Sequence, residues 1–299
     1  MGQRRLALGP VSAAKPGPPL VILAAGRARR YGGCKPLAPV GPYGEAVIDL
    51  VASDAWTAGF GPIVLVLGPS TGPAIRYHVE RTWPSRVDVR FALQETPRGT
   101  VDAVLSASAH LGSASYGVGN ADDVYGHAAM ARLAAHLRQP DPTNALVGFR
   151  LADAVVGQSP VTRGICQVGP DGELLGVDER RQVTPLADGS FTSADGREPV
   201  ELPPDARVSM NLWGFTPAFH QTLEAAMAAA TGASEEAEVL LPEVVGASLA
   251  SSPFTVLPAS GRCIGVTHPD DLPLVQAELA RQVGQGVRPA TLWPAPPEA

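Results

Sequence analysis

The sequence predicts an α/β fold, an open doubly wound parallel sheet in its first half with mixed strands added around a cleft in its second. Three observations lead there. Five short, mainly apolar runs, at 20–25, 63–68, 89–93, 116–121 and 145–151, have the look of strands covered on both faces. Helix-like stretches at 45–59, 101–111 and 124–138 fall among them, which is the βαβα order of such a sheet. Beyond residue 160 the pattern changes to shorter strands with polar turns. With 299 residues, 45% of them hydrophobic, the chain is long enough for one domain with a sizeable core.

Taken in order, residues 1–19 read as a flexible tail closed by KPGPP, and PAPPEA ends the chain in the same way, so the domain is placed at 20–285 and a C-terminal tail at 286–299. The first strand stops at Gly26 and gives way to GRARRYGGCKP, a loop holding three arginines, three glycines and a lysine. In the second half, ICQVGPDGELLGVDE reads as a hairpin turning at Asp171 and Gly172. Thr216 and Pro217 start a helix that runs to about 230. A further helix covers 237–250, and a last strand at 254–257 or 262–266 leads into a helix at 269–283.

Charge and composition exclude several classes. The net charge is −6 with no broad basic face, which argues against a nucleic-acid partner. Cys34, Cys166 and Cys263 are too scattered for a disulfide framework or a zinc ribbon. The opening MGQRRLALGP lacks an apolar signal-peptide core, and no run reaches the roughly 18 apolar residues of a membrane span. A cytoplasmic protein with no membrane partner is the expectation.

Residues just after a parallel strand lie at the carboxyl edge of the sheet, where ligands of such folds bind. There Gly26 lets backbone N–H groups come close to a phosphate or a base. Arg30 reaches phosphate oxygens with a planar fork, and Lys35, held extended by Pro36, with a point charge. GxxxxGK[ST] and GxGxxG are both absent, so this is neither a P-loop nor a dinucleotide fingerprint. The reading is a loop that holds a nucleoside triphosphate. Asp122 and Asp123 follow the fourth apolar run and precede a helix. A helix cap needs one acid, so the pair points to a metal ion on Asp122, with Asp123 left to meet the substrate.

These residues resemble a known family. LAAG-x-A-x-R-x-G-x-x-KPL, from Leu23 to Leu37, resembles the signature of nucleotidyltransferases that activate sugar phosphates, a pattern shared by shorter molybdenum-cofactor and methylerythritol-phosphate relatives. QETPRGTVDAV, GNADDVYG and VSMNLWGF resemble that branch's base-reading, metal and substrate-pocket segments. The resemblance implies a Rossmann-like α/β/α sandwich with a mixed central sheet, the nucleotide-diphospho-sugar transferase fold. It implies an enzyme joining a nucleoside triphosphate to a sugar 1-phosphate or a sugar-like phosphate with Mg²⁺, and it leaves room for a homo-oligomer. Leu23, Ala24, Ala25 and Gly26 would meet the nucleotide through backbone, and Gln94, Gly99 and Thr100 would read the base. Arg30, Lys35 and Asp122 would be catalytic, with Asp122 on the metal. Asp123, Gly148, Glu179, Arg180 and Asn211 would bind the acceptor. Two departures stand out. Arg180 replaces a lysine, and the family's second metal carboxylate falls at Ile264 or Gly265, leaving Asp270 or Asp271 as substitutes. Other readings remain open: a cyclitol phosphate or phosphonate as acceptor, a non-catalytic nucleotide-sugar sensor, or a metal-dependent glycosyltransferase, against which the Lys35–Pro36 loop speaks.

Overall fold

Alternation within the first strand decides the layering. Leu20, Ile22 and Ala24 of β1 (Leu20–Ala24) belong to one buried cluster and Val21 to the other. The computed structural model describes residues 17–26, 33–234, 237–265 and 271–294. After β1 come α1 (Val47–Thr57), β2 (Ile63–Leu67), α2 (Gly72–Thr82), β3 (Val89–Leu93), α3 (Gly99–Ser106) and β4 (Tyr116–Asn120). β1 is parallel to β2 and β4, and β2 to β3, so this half is the parallel sheet the apolar runs predict. The crossover helix α2 was not anticipated. Arg76, His78, Glu80 and Arg81 dominate it, and Ile75 and Val79 are its buried apolar anchors, a weak periodic signal.

The second half comprises β5 (Asp123–Val124), α4 (His127–Leu137), β6 (Asn144–Arg150), α5 (Leu151–Ala154), β7 (Val161–Val168), β8 (Leu174–Pro185), β9 (Phe191–Ser193), β10 (Glu201–Leu202) and β11 (Arg207–Phe215). α6 (Pro217–Ala233), α7 (Leu241–Ser248), β12 (Phe254–Pro258), β13 (Ile264–Gly265) and α8 (Leu272–Gly284) complete it. The hairpin of β7 and β8 turns where expected, with Gly172 at φ +81°. Thr216 caps α6 by accepting the Phe219 amide, and Pro217 follows it. Both positions considered for the last strand are strands. β12 lies parallel to β6, while β13 forms a separate antiparallel pair with β5.

Among the described residues the main sheet has eleven strands, ordered β10-β9-β8-β7-β11-β4-β1-β2-β3, with β6 on β11 and β12 on β6. One buried cluster packs α1, α2, α4 and α8 on one face, and the other packs α3, α6 and α7. This is an α/β/α arrangement with a mixed sheet. β11 is its hinge point. Its Val208 and Ser209 pair with β7, its Trp213 to Phe215 pair with β4, and β6 runs along it on the other side. The register shifts between Ser209 and Trp213, and Asn211 there adopts φ +58°. A bulge at that point lets one strand serve two diverging neighbours. The sheet parts between β4 and β7, at the carboxyl edge of the parallel strands.

Residues 286–294, which the sequence reading places in a C-terminal tail, pack on α1. Arg288 is 6% exposed and forks onto the Asp54 carboxylate at 2.9 and 2.8 Å. The Trp293 amide donates to Ser53 Oγ, and its indole meets Trp56 and Trp83. A buried guanidinium paired bidentately with a buried carboxylate and a three-tryptophan contact are reasons enough for this segment to dock. Residues 1–16 and 295–299 lie outside the described residues.

Candidate active site

A cavity of about 710 Å³ opens where the sheet parts. Lys35, Asn120, Asp122 and Asp123 line one wall, and Arg163, Glu179, Arg181 and Asn211 contribute to the other.

Lys35 is aimed by a short turn. The Leu37 amide donates to the Cys34 carbonyl, the Ala38 amide donates to the Lys35 carbonyl, and Pro36 is buried beneath. The ammonium then meets Asp122 Oδ2 at 2.5 Å, with side chains 19% and 31% exposed. Partial exposure leaves room for a ligand beside the pair. Arg30 lies outside the described residues. Leu23 and Ala24 are strand residues whose carbonyls accept from the Ala121 amide and the Thr71 hydroxyl, and Gly26 is exposed, with no described residue within 4 Å of where a Cβ would stand. Ala25 is 8% exposed, its carbonyl close against Gly68.

The carboxylate turn is held from below by Tyr125. Its buried hydroxyl accepts the Asn120 amide at 2.8 Å and donates to the Met210 carbonyl at 2.9 Å, tying the end of β4 to the β11 bulge. Asn120 Nδ2 donates to Asp123 Oδ2 at 2.9 Å. Burial, and next the charge of Asp122, push the Asp123 carboxyl up to about 6, against the opposing pull of Asn120, Lys35 and Arg163. Arg163 itself is fixed by carbonyls: Nε and Nη2 donate to Ala154, and Nη1 to Thr162.

The base-reading segment is zipped to the start of α7. Gly99 sits at φ +92°, and a Cβ there would fall 2.3 Å from the Val239 carbonyl oxygen. Thr100 Oγ1 accepts the Leu241 amide at 2.8 Å, so it caps α7 rather than its own helix. Gln94 is 5% exposed. Its Nε2 donates to the Gly99 carbonyl at 3.0 Å and to Asp102 Oδ2 at 2.9 Å, and Asp102 is paired with Arg98. Both partners can only accept, which sets the amide's orientation and leaves Oε1 with no donor among the described residues; Gln94, Gly99 and Thr100 are not among the residues that line the cavity.

Two acceptor assignments are corrected. Arg180 does not face the cavity. It is 1% exposed, with Nε and Nη2 on the Asp195 carboxylate at 2.9 and 3.1 Å and Nη2 also on the carbonyls of Arg197 and Pro199. That fork holds Asp195 far below the usual carboxylate range. Strand alternation is the cause: Glu179 and Arg181 share the cavity face of β8, and Arg180 takes the opposite one. Gly148 is also internal. Its carbonyl accepts the Ala259 amide, and a Cβ would fall 2.8 Å from Val256 Cγ1, so packing between β11 and β12 accounts for the glycine.

Asn211 does line the cavity. The Trp213 indole N–H, an obligate donor, contacts Asn211 Oδ1 at 3.3 Å, which turns the amide Nδ2 outward. Trp213 itself is fully buried in the core. Asp271 is 5% exposed near Gly157, away from the cavity lining, and Asp270 lies outside the described residues. Arg181, Arg163, Asn120 and Glu243 are among the lining residues that the sequence reading missed. The period of two in DERR was the signal that would have found Arg181.

Among the described residues, no three His, Cys, Asp or Glu side chains converge as a metal cage. Asp122 and Asp123 supply hard oxygen donors only, the donor type that suits Mg²⁺, which takes one or two carboxylates and shares the rest of its shell with water and phosphate. No helix among the described residues is long and apolar enough to cross a membrane.

The family model described as the MobA-like NTP transferase domain matches residues 20–240. The fold is similar to that of a UTP-bound UGPase from Acinetobacter baumannii, with TM-score 0.62 and 15% identity over 90% of this chain and 98% of that one. It is also similar to a UDP-glucose pyrophosphorylase from Acinetobacter baumannii, with TM-score 0.60 and 16% identity over 90% and 99%. No curated protein sequence matches the chain.

Proposed function

The chain belongs to the MobA-like NTP transferase family and is a nucleotidyltransferase, and from that premise we propose that it joins a nucleoside triphosphate to a sugar 1-phosphate or a sugar-like phosphate, releasing pyrophosphate and an NDP-sugar. One observation carries the reading. A single cavity has Lys35, Asp122 and Asp123 on its nucleotide wall and Glu179, Arg181 and Asn211 on the wall facing them.

The acceptor's phosphate oxygen forms a bond to the α-phosphorus, and the bond from that phosphorus to the α–β bridging oxygen breaks. The attacking oxygen is already ionised at neutral pH, so no general base is needed. What the chain supplies is charge and position. Lys35 neutralises phosphate oxygens from the first loop, with Arg30 expected beside it in sequence. Arg181 takes the role first assigned to Arg180 and clamps the acceptor phosphate with its planar fork. Glu179 accepts from a hydroxyl, and Asn211 donates from its outward amide. Mg²⁺, held by Asp122, would lower the charge on the α-phosphoryl oxygens when bound.

Gln94 narrows the base. With Oε1 as its open group, it matches a base that presents a ring N–H, which means uracil, thymine or guanine. Cytosine and adenine present a lone pair at that ring position and could donate to Oε1 only from the exocyclic amine. A cyclitol phosphate or a phosphonate would use the same nucleotide wall and differ at Glu179 and Asn211.

A panel of nucleoside triphosphates against sugar and cyclitol phosphates, read by pyrophosphate release, tests the reading. UTP, dTTP or GTP is expected to outperform CTP and ATP. Absence of pyrophosphate release with every pair would sink the catalytic reading, and a CTP or ATP preference would sink the role given to Gln94.

A further inference from the structure

Asp123 lines the cavity with no ion pair of its own among the described residues, Lys35 and Arg163 acting on it only through space. Asp122, its neighbour, is paired with Lys35, whereas the side-chain donor to Asp123 is a neutral amide, Asn120 Nδ2 on Oδ2. Its Oδ1 is directed at Gly265, across the antiparallel pair of β5 and β13 in which Gly265 stands opposite Asp123. A Cβ at 265 would lie 2.3 Å from that oxygen and 3.7 Å from the Asp122 carbonyl. The Asp123 carboxylate therefore fills the space into which any side chain at 265 would project. Gly265 is also one of the two positions at which the resemblance led to a carboxylate being expected. Two adjacent carboxylates face a cleft proposed to receive polyanions, and a hard dication lets carboxylate and phosphate oxygens share one site.

We propose that Asp123 supplies the second carboxylate to the divalent cation that Asp122 holds, the acid having moved from β13 to the facing residue of β5, with Gly265 as the vacated position. The proposal rests on the metal reading above and reassigns Asp123 from acceptor to cation. Asn120 serves as a positioning residue, fixing Oδ2 and turning Oδ1 toward the space above Gly265.

The test is Mn²⁺ binding to the full chain, with Mn²⁺ alone as probe and free ion counted by electron paramagnetic resonance. The wild type should take up one ion. Asp123→Asn and Asp122→Asn, each isosteric, should weaken it about tenfold or more. Moving the acid back, with Asp123→Gly and Gly265→Asp together, should bring affinity to within about threefold of wild type, since the new side chain then enters the space Asp123 leaves. Melting curves without metal show that each variant is folded. If Asp123→Asn binds Mn²⁺ like the wild type while Asp122→Asn does not, the proposal is overturned and the metal on Asp122 stands. A folded exchange variant that fails to regain the ion overturns it too. If Asp122→Asn also binds like the wild type, or the wild type takes up no Mn²⁺, the metal reading itself falls and this inference with it.

Discussion

Two ion pairs, one in each half of the sheet, show how similar side chains come to do different work. In the parallel half, Lys35 and Asp122 meet at the cavity, each partly exposed and each with capacity left for a ligand. In the antiparallel half, Arg180 and Asp195 are 1% and 6% exposed, and the guanidinium spends its donors on one carboxylate and two carbonyls. The first pair is positioned by a turn outside the strands, the second by the inner face of β8. An Arg–Asp pair sealed in this way pins the loop at 194–199 to β8. It has nothing to offer a substrate.

The largest expected effect breaks the first pair. Lys35→Ala or Asp122→Asn should lower the rate of pyrophosphate release about 10²–10³-fold while far-UV circular dichroism stays unchanged. A wild-type rate in either variant would remove these residues from the chemistry. Next come the two neighbouring arginines, which should separate cleanly. Arg181→Ala should raise the acceptor KM about tenfold, leaving the triphosphate KM and the melting temperature in place. Arg180→Ala should do the reverse, lowering the melting temperature because Asp195 and two carbonyls lose their donor. If the two variants share one phenotype, the assignment by strand face is wrong.

The smallest effect concerns Asp123 and pH. Its folded-state pKa of about 6 lies above the usual 3.8, so the folded protein holds this proton more tightly than the unfolded chain does. The stability it contributes is present below about pH 4 and is lost as pH rises through 6, on the order of 3 kcal/mol in all. In metal-free protein, Asp123→Asn should therefore melt a few degrees higher than the wild type at pH 7.5 and show no such gain at pH 4. Equal melting points at both pH values would show that the carboxyl is not strained by its surroundings.

Much of this was legible in the sequence, and the legible part follows from period and punctuation. The apolar runs gave away the parallel half because strands buried on both faces have no polar side. Thr216 with Pro217, and Asp171 with Gly172, announced a helix start and a hairpin through local chemistry. The Lys35 loop and the Asp122–Asp123 pair were visible because charge beside glycine at a strand end is unusual. What stayed hidden was set by contacts distant in sequence. Arg180 needs Asp195, and Gly99 and Thr100 are shaped by Val239 and Leu241. Gly148 packs on Val256, and Gly265 answers to Asp123. A motif carried over by position could not see which face of β8 a side chain takes, but counting alternate residues from Glu179 would have.

The docked segment at 286–294 has a practical corollary for anyone shortening this protein. Cutting at 285, where sequence alone would place the boundary, strips the cation from Asp54 inside α1 and uncovers Trp56 and Trp83 together. Such a truncate would carry an orphaned acid and a sticky aromatic face on the helix that follows the Lys35 turn, so its aggregation and its loss of turnover would be hard to tell apart. Expression designs should keep the chain through Trp293 and attach any tag beyond it.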